Sequence, residues 1–308
     1  VPQTEGDPSA RVSEKWRVAT RGSALARWQA KHVAGLLGGA ELVVVETSGD
    51  RDQTTSLDLL GGRGIFVKEV QAAVLDGRAD FAVHSAKDLP SSPDLLAPGL
   101  TIGAFPERGD PRDALVGCRL AALPQGATVA SGSMRRRAQL AELRPDLLFA
   151  DLRGNMQTRL AKGSAFDAIV VAVAALQRLG LDDRIDDGLD PTTFVPQVGQ
   201  GALAVECRAG DTAALAALAP LDHGPTRRVV ETERAWLATL GGGCELPAGA
   251  HATLDSAGGL TLRAVLAAPD GSSVLRVEGT GDDPEELGRG LASDLLDLGG
   301  RDLLRRAR

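Results

Sequence analysis

The 308-residue sequence has no tyrosine, and only three tryptophans and six phenylalanines. Its cores must therefore be built from Leu, Val, Ala and Ile, and aromatic platforms for stacking nucleic-acid bases are not expected. Cysteine is also scarce. Cys118, Cys207 and Cys244 are odd in number and far apart, with no CxxC or Cys/His cluster. That spacing argues against a disulfide framework and a zinc site, so no metal is expected and a reducing compartment fits best. Positive charge is in deficit: the formal net charge is −7 and the pI about 5.2. A nucleic-acid partner would need the opposite sign. The longest apolar run, Ala168–Leu176, spans nine residues, whereas a membrane helix needs roughly 20. The opening stretch VPQTEGDPSARVSEK lacks an apolar signal core and carries the acids that transit peptides avoid. Residues 1–14 read as a disordered tail, and the expected compartment is cytoplasmic.

What is present is a regular alternation. Trp16–Thr20 predicts a strand running into Ser23, an N-cap residue, and a helix to about Leu37. Glu41–Glu46 predicts a second strand. Phe66–Leu75 puts Phe66, Val70, Ala73 and Val74 on one helical face. Asp80–His84 predicts a short buried strand that feeds the loop Ser85–Pro90. This order implies an α/β layer with a largely parallel sheet. The breaker-rich Pro106–Arg112 predicts a crossover between domains. Beyond it the alternation restarts, with strands at Thr128–Ala130, Leu147–Asp151 and Ala168–Val171 and helices at Ser133–Leu143 and Asn155–Lys162. Gly199–Arg208 reads as a glycine-rich turn and a strand, followed by helices at about Thr212–Ala219 and Thr226–Leu240. The last third changes character. Gly249–Leu254, Leu260–Ala267 and Ser273–Gly279 predict antiparallel strands. Asp283–Leu298 predicts a helix with Asp283 as N-cap, Pro284 at N1, Glu286 at N3 and Leu287, Leu291 and Leu295 buried. No internal repeat shows in the sequence.

Only five of the 34 basic residues are lysine. Codon bias accounts for such a total; placement is more informative. In SGSMRRRAQL, 131–140, a small-residue turn opens a helix, where free backbone N–H groups and the helix dipole favour an anion. Arg135 and Arg136 add guanidinium forks suited to carboxylates or phosphates. Successive helix positions lie about 100° apart, so at least one of Arg135, Arg136 and Arg137 must point elsewhere. DLRGNMQTRL, 151–160, sets Arg153 at a strand end and Arg159 one helical turn along. TRGSALARWQA, 20–30, repeats the layout with Arg21 and Ser23. Three such corners imply a polyanionic ligand held between two α/β layers. DFAVHSAKDLPS, 80–91, presents Lys87 and Asp88 just past a buried strand, where catalytic groups often sit; from pattern alone a solvated pair in a turn is the commoner reading. GGRGIFVKE, 61–69, reads as a mobile loop. Cys244 follows three glycines, and by pattern alone a lone cysteine there reads as structural.

Taken together, TRGS, GGRGIFVKE, HSAKD, PERGDPRDALV, SMRR, LRGN, VGQGA and GGC resemble the hydroxymethylbilane synthase (porphobilinogen deaminase) family, in the family's order and from about Arg17 to the C-terminal helix. The resemblance implies an α/β fold of two lobes like those of periplasmic binding proteins, plus a small C-terminal α+β domain. The implied division is residues 15–104 with 200–222, then 105–199, then 223–308. The resemblance makes Cys244 the covalent anchor of a dipyrromethane cofactor and Asp88 the catalytic carboxylate. Lys87, Arg135, Arg136, Ser133 and Asp88 become cofactor-binding residues. Arg21, Ser23, Arg153, Arg159, Phe66 and Arg63 become substrate-binding residues. In two places the chain departs from the family pattern. Gly132 stands where a hydroxyl residue is usual, so a hydrogen bond is lost there or taken by Ser131. Arg63 stands where many relatives have lysine.

The implied reaction joins four porphobilinogen molecules head to tail. Each loses ammonia to give a methylene-pyrrolenine cation, which the growing chain attacks. Such chemistry needs one carboxylate beside the pyrrole nitrogens to stabilise the cation and help move protons, and Asp88 is the candidate. Each pyrrole brings two more carboxylates, so an acidic protein must concentrate its arginines in one cleft. The resemblance also implies a monomer that passes its product to a tetrapyrrole-cyclising enzyme. One rival is a non-catalytic solute-binding module of similar lobes, since fold does not fix function; it leaves GGGC and the third domain unexplained. Another is a phosphate-ester enzyme, which no Walker pattern or metal-carboxylate cluster supports.

Overall fold

The protein is described by a computed structural model covering residues 15–47, 67–92, 95–241 and 246–307. The first lobe is built on β1 (Trp16–Arg21), α1 (Ala24–Leu36), β2 (Ala40–Val45), α2 (Lys68–Leu75), β3 (Phe81–Ser85) and β4 (Leu100–Ala104). Its sheet is completed from far along the chain by β10 (Leu203–Arg208), which runs antiparallel between β3 and β4, giving the order β2-β1-β3-β10-β4. The other pairings of the layer, β1 with β2 and β1 with β3, are parallel. Both faces of β3 are covered, and Phe81, Ala82 and Val83 are buried. This is why the sequence there reads as a short continuous apolar run.

The second lobe comprises β5 (Asp113–Val116), β6 (Thr128–Ala130), α3 (Met134–Leu143), β7 (Leu148–Ala150), α4 (Met156–Gly163), β8 (Ala168–Ala172), α5 (Val173–Arg178) and β9 (Asp187–Gly188). Its sheet order is β7-β6-β8-β5-β9, with β6, β7 and β8 parallel and β5 antiparallel to its neighbours. The two sheets share one plan. Three parallel strands lie in the order second, first, third; an antiparallel strand that arrives across the lobe boundary follows, and then an edge strand. The sequence shows no repeat, but the topology does.

Two segments cross between the sheets. Residues 105–112 lead out from β4 to β5, and residues 189–202 return from β9 to β10. They touch where Gly109 N–H donates to Gly201 O at 3.1 Å. Gly201 has φ +85°, and a Cβ there would lie 2.5 Å from the Gly109 carbonyl oxygen, so only glycine fits the crossing.

The last domain has helix α6 (Thr212–Leu218) before it, then α7 (Gly224–Thr239), the antiparallel sheet β11 (Ala248–Leu254), β12 (Leu260–Ala267) and β13 (Val274–Gly281), and helices α8 (Pro284–Leu295) and α9 (Arg301–Ala307). Asp283 caps α8 by accepting from Glu286 N–H at 2.8 Å, and Leu287, Leu291 and Leu295 are buried as predicted. The helix runs on as a π turn, Leu296–Gly300, and Gly299 at φ +109° breaks the run ahead of α9, just past the predicted end at Leu298. The core around Trp236 and these leucines continues into Phe105, Val198, Ala86 and Leu89. Ala86 and Leu89 bracket Lys87 and Asp88, so the turn that carries this pair rests directly on the third domain's core.

Other departures have simple causes. The short strands β4, β5 and β9 escape the sequence pattern, since glycine and proline flank them and none is long enough to show a period. The apolar run Ala168–Leu176 divides between the end-to-end buried strand β8 and the first turn of α5. Arg153 lies in the turn beyond β7 rather than closing the strand. Among the described residues no helix is long and apolar enough to cross a membrane, and no His/Cys/Asp/Glu group could hold a metal.

Candidate active site

The predicted residues gather at the carboxyl ends of the parallel strands of both sheets. In the first lobe β1 ends on Arg21, and Ser23 caps α1 by accepting from Ala26 N–H at 3.3 Å. β3 ends on Ser85, whose Oγ accepts from Gln29 Nε2 at 2.8 Å. A 3₁₀ turn, Ala86–Asp88, then carries Lys87 and Asp88. It is tied back to the sheet by Ala86 N–H donating to Ala202 O at 3.0 Å. Asp88 is exposed, and together with Arg21, Ser23 and Ser85 it lines a pocket floored by Val67 and Val83. Lys87 Nζ donates to Gln200 Oε1 at 3.2 Å. Burial first, then the neighbouring Arg136, pull the Lys87 amine down to about 8 from an ordinary 10.5, against the opposing pull of Asp88 and Asp113.

In the second lobe Ser133 caps α3, accepting from Arg136 N–H at 3.5 Å. Asn155 caps α4, accepting from Thr158 N–H at 3.0 Å. Arg159 Nε donates to Gly154 O at 2.8 Å, which leaves its terminal nitrogens for the cleft. Its guanidinium is lowered to about 10 by burial first, then by Arg136, with Asp88 acting the other way and Arg153 adding repulsion. Arg159 thus lies close enough to feel Asp88 of the opposite lobe. Arg153 is half-buried and makes no hydrogen bond or ion pair with the described residues.

Arg135 and Arg136 stand differently from what their motif suggests. Both are buried, and both forks grip a protein carboxylate, that of Asp113. Arg137 is the one that points elsewhere, to Ser131 O at 2.6 Å and Asp151 Oδ1 at 2.5 Å. Ser131 does not take over a ligand bond at Gly132. It is buried, and its Oγ accepts from Ser133 N–H at 3.2 Å. A Cβ on residue 132 would lie 2.9 Å from the Leu152 carbonyl oxygen, so glycine here lets the two strand-end turns pack together. Arg63, Phe66 and Cys244 lie outside the described residues.

Sequence reasoning missed Asp113, Gln200 and Arg178. Arg178, at the end of α5, stacks its guanidinium 5.7 Å from the Trp28 ring of α1 and donates to Gly201 O at 2.5 Å, joining the lobes beside the cleft. Glu233 of α7 fixes the third domain to both crossovers. It pairs with Arg108 at 2.7 Å and accepts from Gly199 N–H at 2.7 Å. A signal for Asp113 exists: two adjacent arginines on the buried side of α3 require an interior carboxylate.

The surface facing the cleft therefore combines one exposed carboxylate with Lys87, Arg153 and Arg159, plus hydroxyls at two helix caps. Such a donor set fits a ligand carrying several carboxylates, the kind of group a dipyrromethane is. Comparison with known proteins points the same way. Residues 16–216 match the family model "Porphobilinogen deaminase, dipyromethane cofactor binding domain", and residues 228–297 match that for the C-terminal domain. A porphobilinogen deaminase of Roseiflexus sp. (strain RS-1) is 48% identical over 299 residues, 93% of this chain and 97% of that protein. One from Brevibacillus brevis is 44% identical over 302 residues, 94% of this chain and 96% of that protein. The chain, with its paired lobes and Arg-lined cleft, belongs to the porphobilinogen deaminase family.

Proposed function

We propose that the chain is a hydroxymethylbilane synthase, a transferase that deaminates and joins four porphobilinogen molecules on a dipyrromethane held by a thioether to Cys244. The observation that carries this reading is that Arg159 of the second lobe lies close enough to Asp88 of the first for their charges to interact. The dipyrromethane, when bound, supplies the pyrrole carbon to which the first substrate is joined.

Asp88 is exposed on a turn pinned at Ala86 and Leu89, so its carboxylate can stand beside pyrrole nitrogens without moving. A fixed negative charge there favours a cation forming on the substrate as ammonia leaves, and it can accept a proton afterwards. Arg21, Arg153 and Arg159 are read as partners of the acetate and propionate arms, with Ser23 and Ser133 as hydroxyl donors. Phe66 and Arg63, which precede α2 in the sequence, are read as further substrate-binding residues, and Lys87, Arg135 and Arg136 as partners of the cofactor's carboxylates. The chain is read as a monomer in the cytoplasm that hands its product to a tetrapyrrole-cyclising enzyme. The unpaired thiols Cys118 and Cys207 support a reducing compartment.

The test is the intact mass of the purified protein. An excess equal to one dipyrromethane, lost in Cys244→Ser, is expected; an active enzyme of unmodified mass would refute the reading.

A further inference from the structure

Lys87, Arg135 and Arg136 enter the proposed site as cations for a ligand, yet one carboxylate connects all three. Asp113 is fully buried at the first residue of β5. Its Oδ2 accepts from Arg135 Nη2 at 2.8 Å, and its Oδ1 from Arg136 Nε at 2.9 Å and Nη2 at 2.7 Å. Gln200, also fully buried, donates from Nε2 to Asp113 Oδ1 at 2.9 Å and to Pro111 O at 2.8 Å. Its Oε1 then accepts from Lys87 Nζ at 3.2 Å. Pro111 lies in the outgoing crossover and Gln200 in the returning one. A continuous run of hydrogen bonds thus starts beside Asp88, passes through both crossovers and ends on the paired arginines of α3.

The backbone holds the far side of the arginines. Arg135 Nη1 donates to Val195 O at 2.7 Å, and Arg136 Nη1 to Val170 O at 3.1 Å. A guanidinium has more N–H groups than these bonds consume, so both residues keep donors for a ligand. Their planes, however, are set by Asp113. Two adjacent buried guanidiniums with Lys87 nearby would otherwise repel one another in a site from which water is largely excluded.

We propose that Asp113 is a positioning residue of this site: a resident carboxylate that orients Arg135 and Arg136 before any ligand carboxylate arrives and, through Gln200, fixes Lys87 beside Asp88. This rests on the proposed function insofar as the ligand is a dipyrromethane. The network itself does not depend on that identity. Pre-orientation of this kind spares a ligand the cost of ordering long side chains on arrival.

Two variants and two readouts test it. Asp113→Asn keeps the shape and removes the charge. Gln200→Met cuts the link to Lys87 and keeps the Asp113–arginine bonds. The first readout is the fraction of purified chain that carries dipyrromethane, by intact mass. The second is the titration midpoint of Lys87, followed by NMR after reductive ¹³C-methylation; the chain has only five lysines, and Lys87→Arg assigns the signal. Lys87 is faced by Arg136, Asp88, Asp113 and Arg135. Losing the Asp113 charge should therefore lower its midpoint by about half a pH unit or more. Loading should fall about tenfold in Asp113→Asn. In Gln200→Met the midpoint should fall, and loading should fall less than in Asp113→Asn because both arginines keep their Asp113 bonds. Wild-type loading in folded Asp113→Asn overturns the proposal, as does an unmoved Lys87 midpoint in either variant. Should Asp113→Asn fail to fold, the midpoint in Gln200→Met decides alone. A wild-type chain that never carries dipyrromethane would refute the proposed function, while the titration would still report on Asp113.

Discussion

The two lobes solve the same geometric problem with opposite charges. Each first strand is followed by a Gly-Ser pair whose serine caps the next helix, Gly22-Ser23 after β1 and Gly132-Ser133 after β6. Each third strand then diverges. β3 runs into an open turn bearing Lys87 and the exposed Asp88, whereas β8 runs into α5, whose first residues Val173 and Ala174 are buried. The second lobe places its charge instead on the helices after its first and second strands, as Arg135, Arg136 and Arg159. One plan thus yields a lobe that exposes a carboxylate beside Lys87 and a lobe whose corners carry arginines. The difference lies in which strand end is left open.

That contrast can be broken most severely at Asp88. Asp88→Asn should lower turnover by about 10²–10⁴ while the protein keeps its dipyrromethane, read by steady-state rate and intact mass together. Next comes the buried cation side. Arg136→Ala removes two bonds from Asp113, and breaking a buried ion pair should reduce unfolding free energy by about 3 kcal/mol, seen as a shifted denaturant midpoint with reduced cofactor loading. Arg159→Gln should separate the two kinds of cation. It faces the cleft without a carboxylate partner among the described residues, so KM should rise several-fold while stability changes by less than about 0.5 kcal/mol.

Lys87 gives a smaller effect that depends on pH. Its amine is held near 8 in the folded protein against 10.5 in the ordinary state. Between those values the unfolded chain binds more protons than the folded one, so stability should rise with pH across that window. Lys87→Met should flatten the rise, as measured by denaturant melts at several pH values; an identical slope in both proteins contradicts the burial argument. The smallest effect is expected at the lobe contact. Trp28→Ala, which removes the ring under Arg178, should cost about 0.5–1 kcal/mol and leave cofactor loading unchanged.

Much of this arrangement is legible in the amino-acid sequence. The caps Ser23 and Asp283 are readable because a short polar side chain ahead of an apolar helical period has one common use. The strand-end arginines are readable as a group because three similar corners imply a shared anion. The adjacent arginines of α3 call for an interior carboxylate but do not say which one: an aspartate at the start of a four-residue strand carries no periodic signal, and its partners lie 22 and 23 positions away. Gln200 is hidden in the same way inside a glycine-rich turn. The repeated plan of the two sheets is invisible because topology is preserved by which strands pair, and the sequence records only their order. Cys244 stands out through family resemblance alone, since no local physical feature separates a tethering thiol from an incidental one.

The double crossing of the chain also sets an order of assembly. The second lobe is built from one continuous stretch, 113–188, and can close its sheet as soon as that stretch is available. The first lobe cannot, because β10 belongs in the interior of its sheet and begins only at Leu203. At roughly 5–20 residues per second on a ribosome, the nested lobe has about one to four seconds to form while β3 and β4 still lack the strand between them. The Ala86–Ala202 bond that pins the Asp88 turn must also wait for that strand. The Asp88 turn is thus among the later parts of the molecule to take shape, although its residues are among the earlier ones to be made.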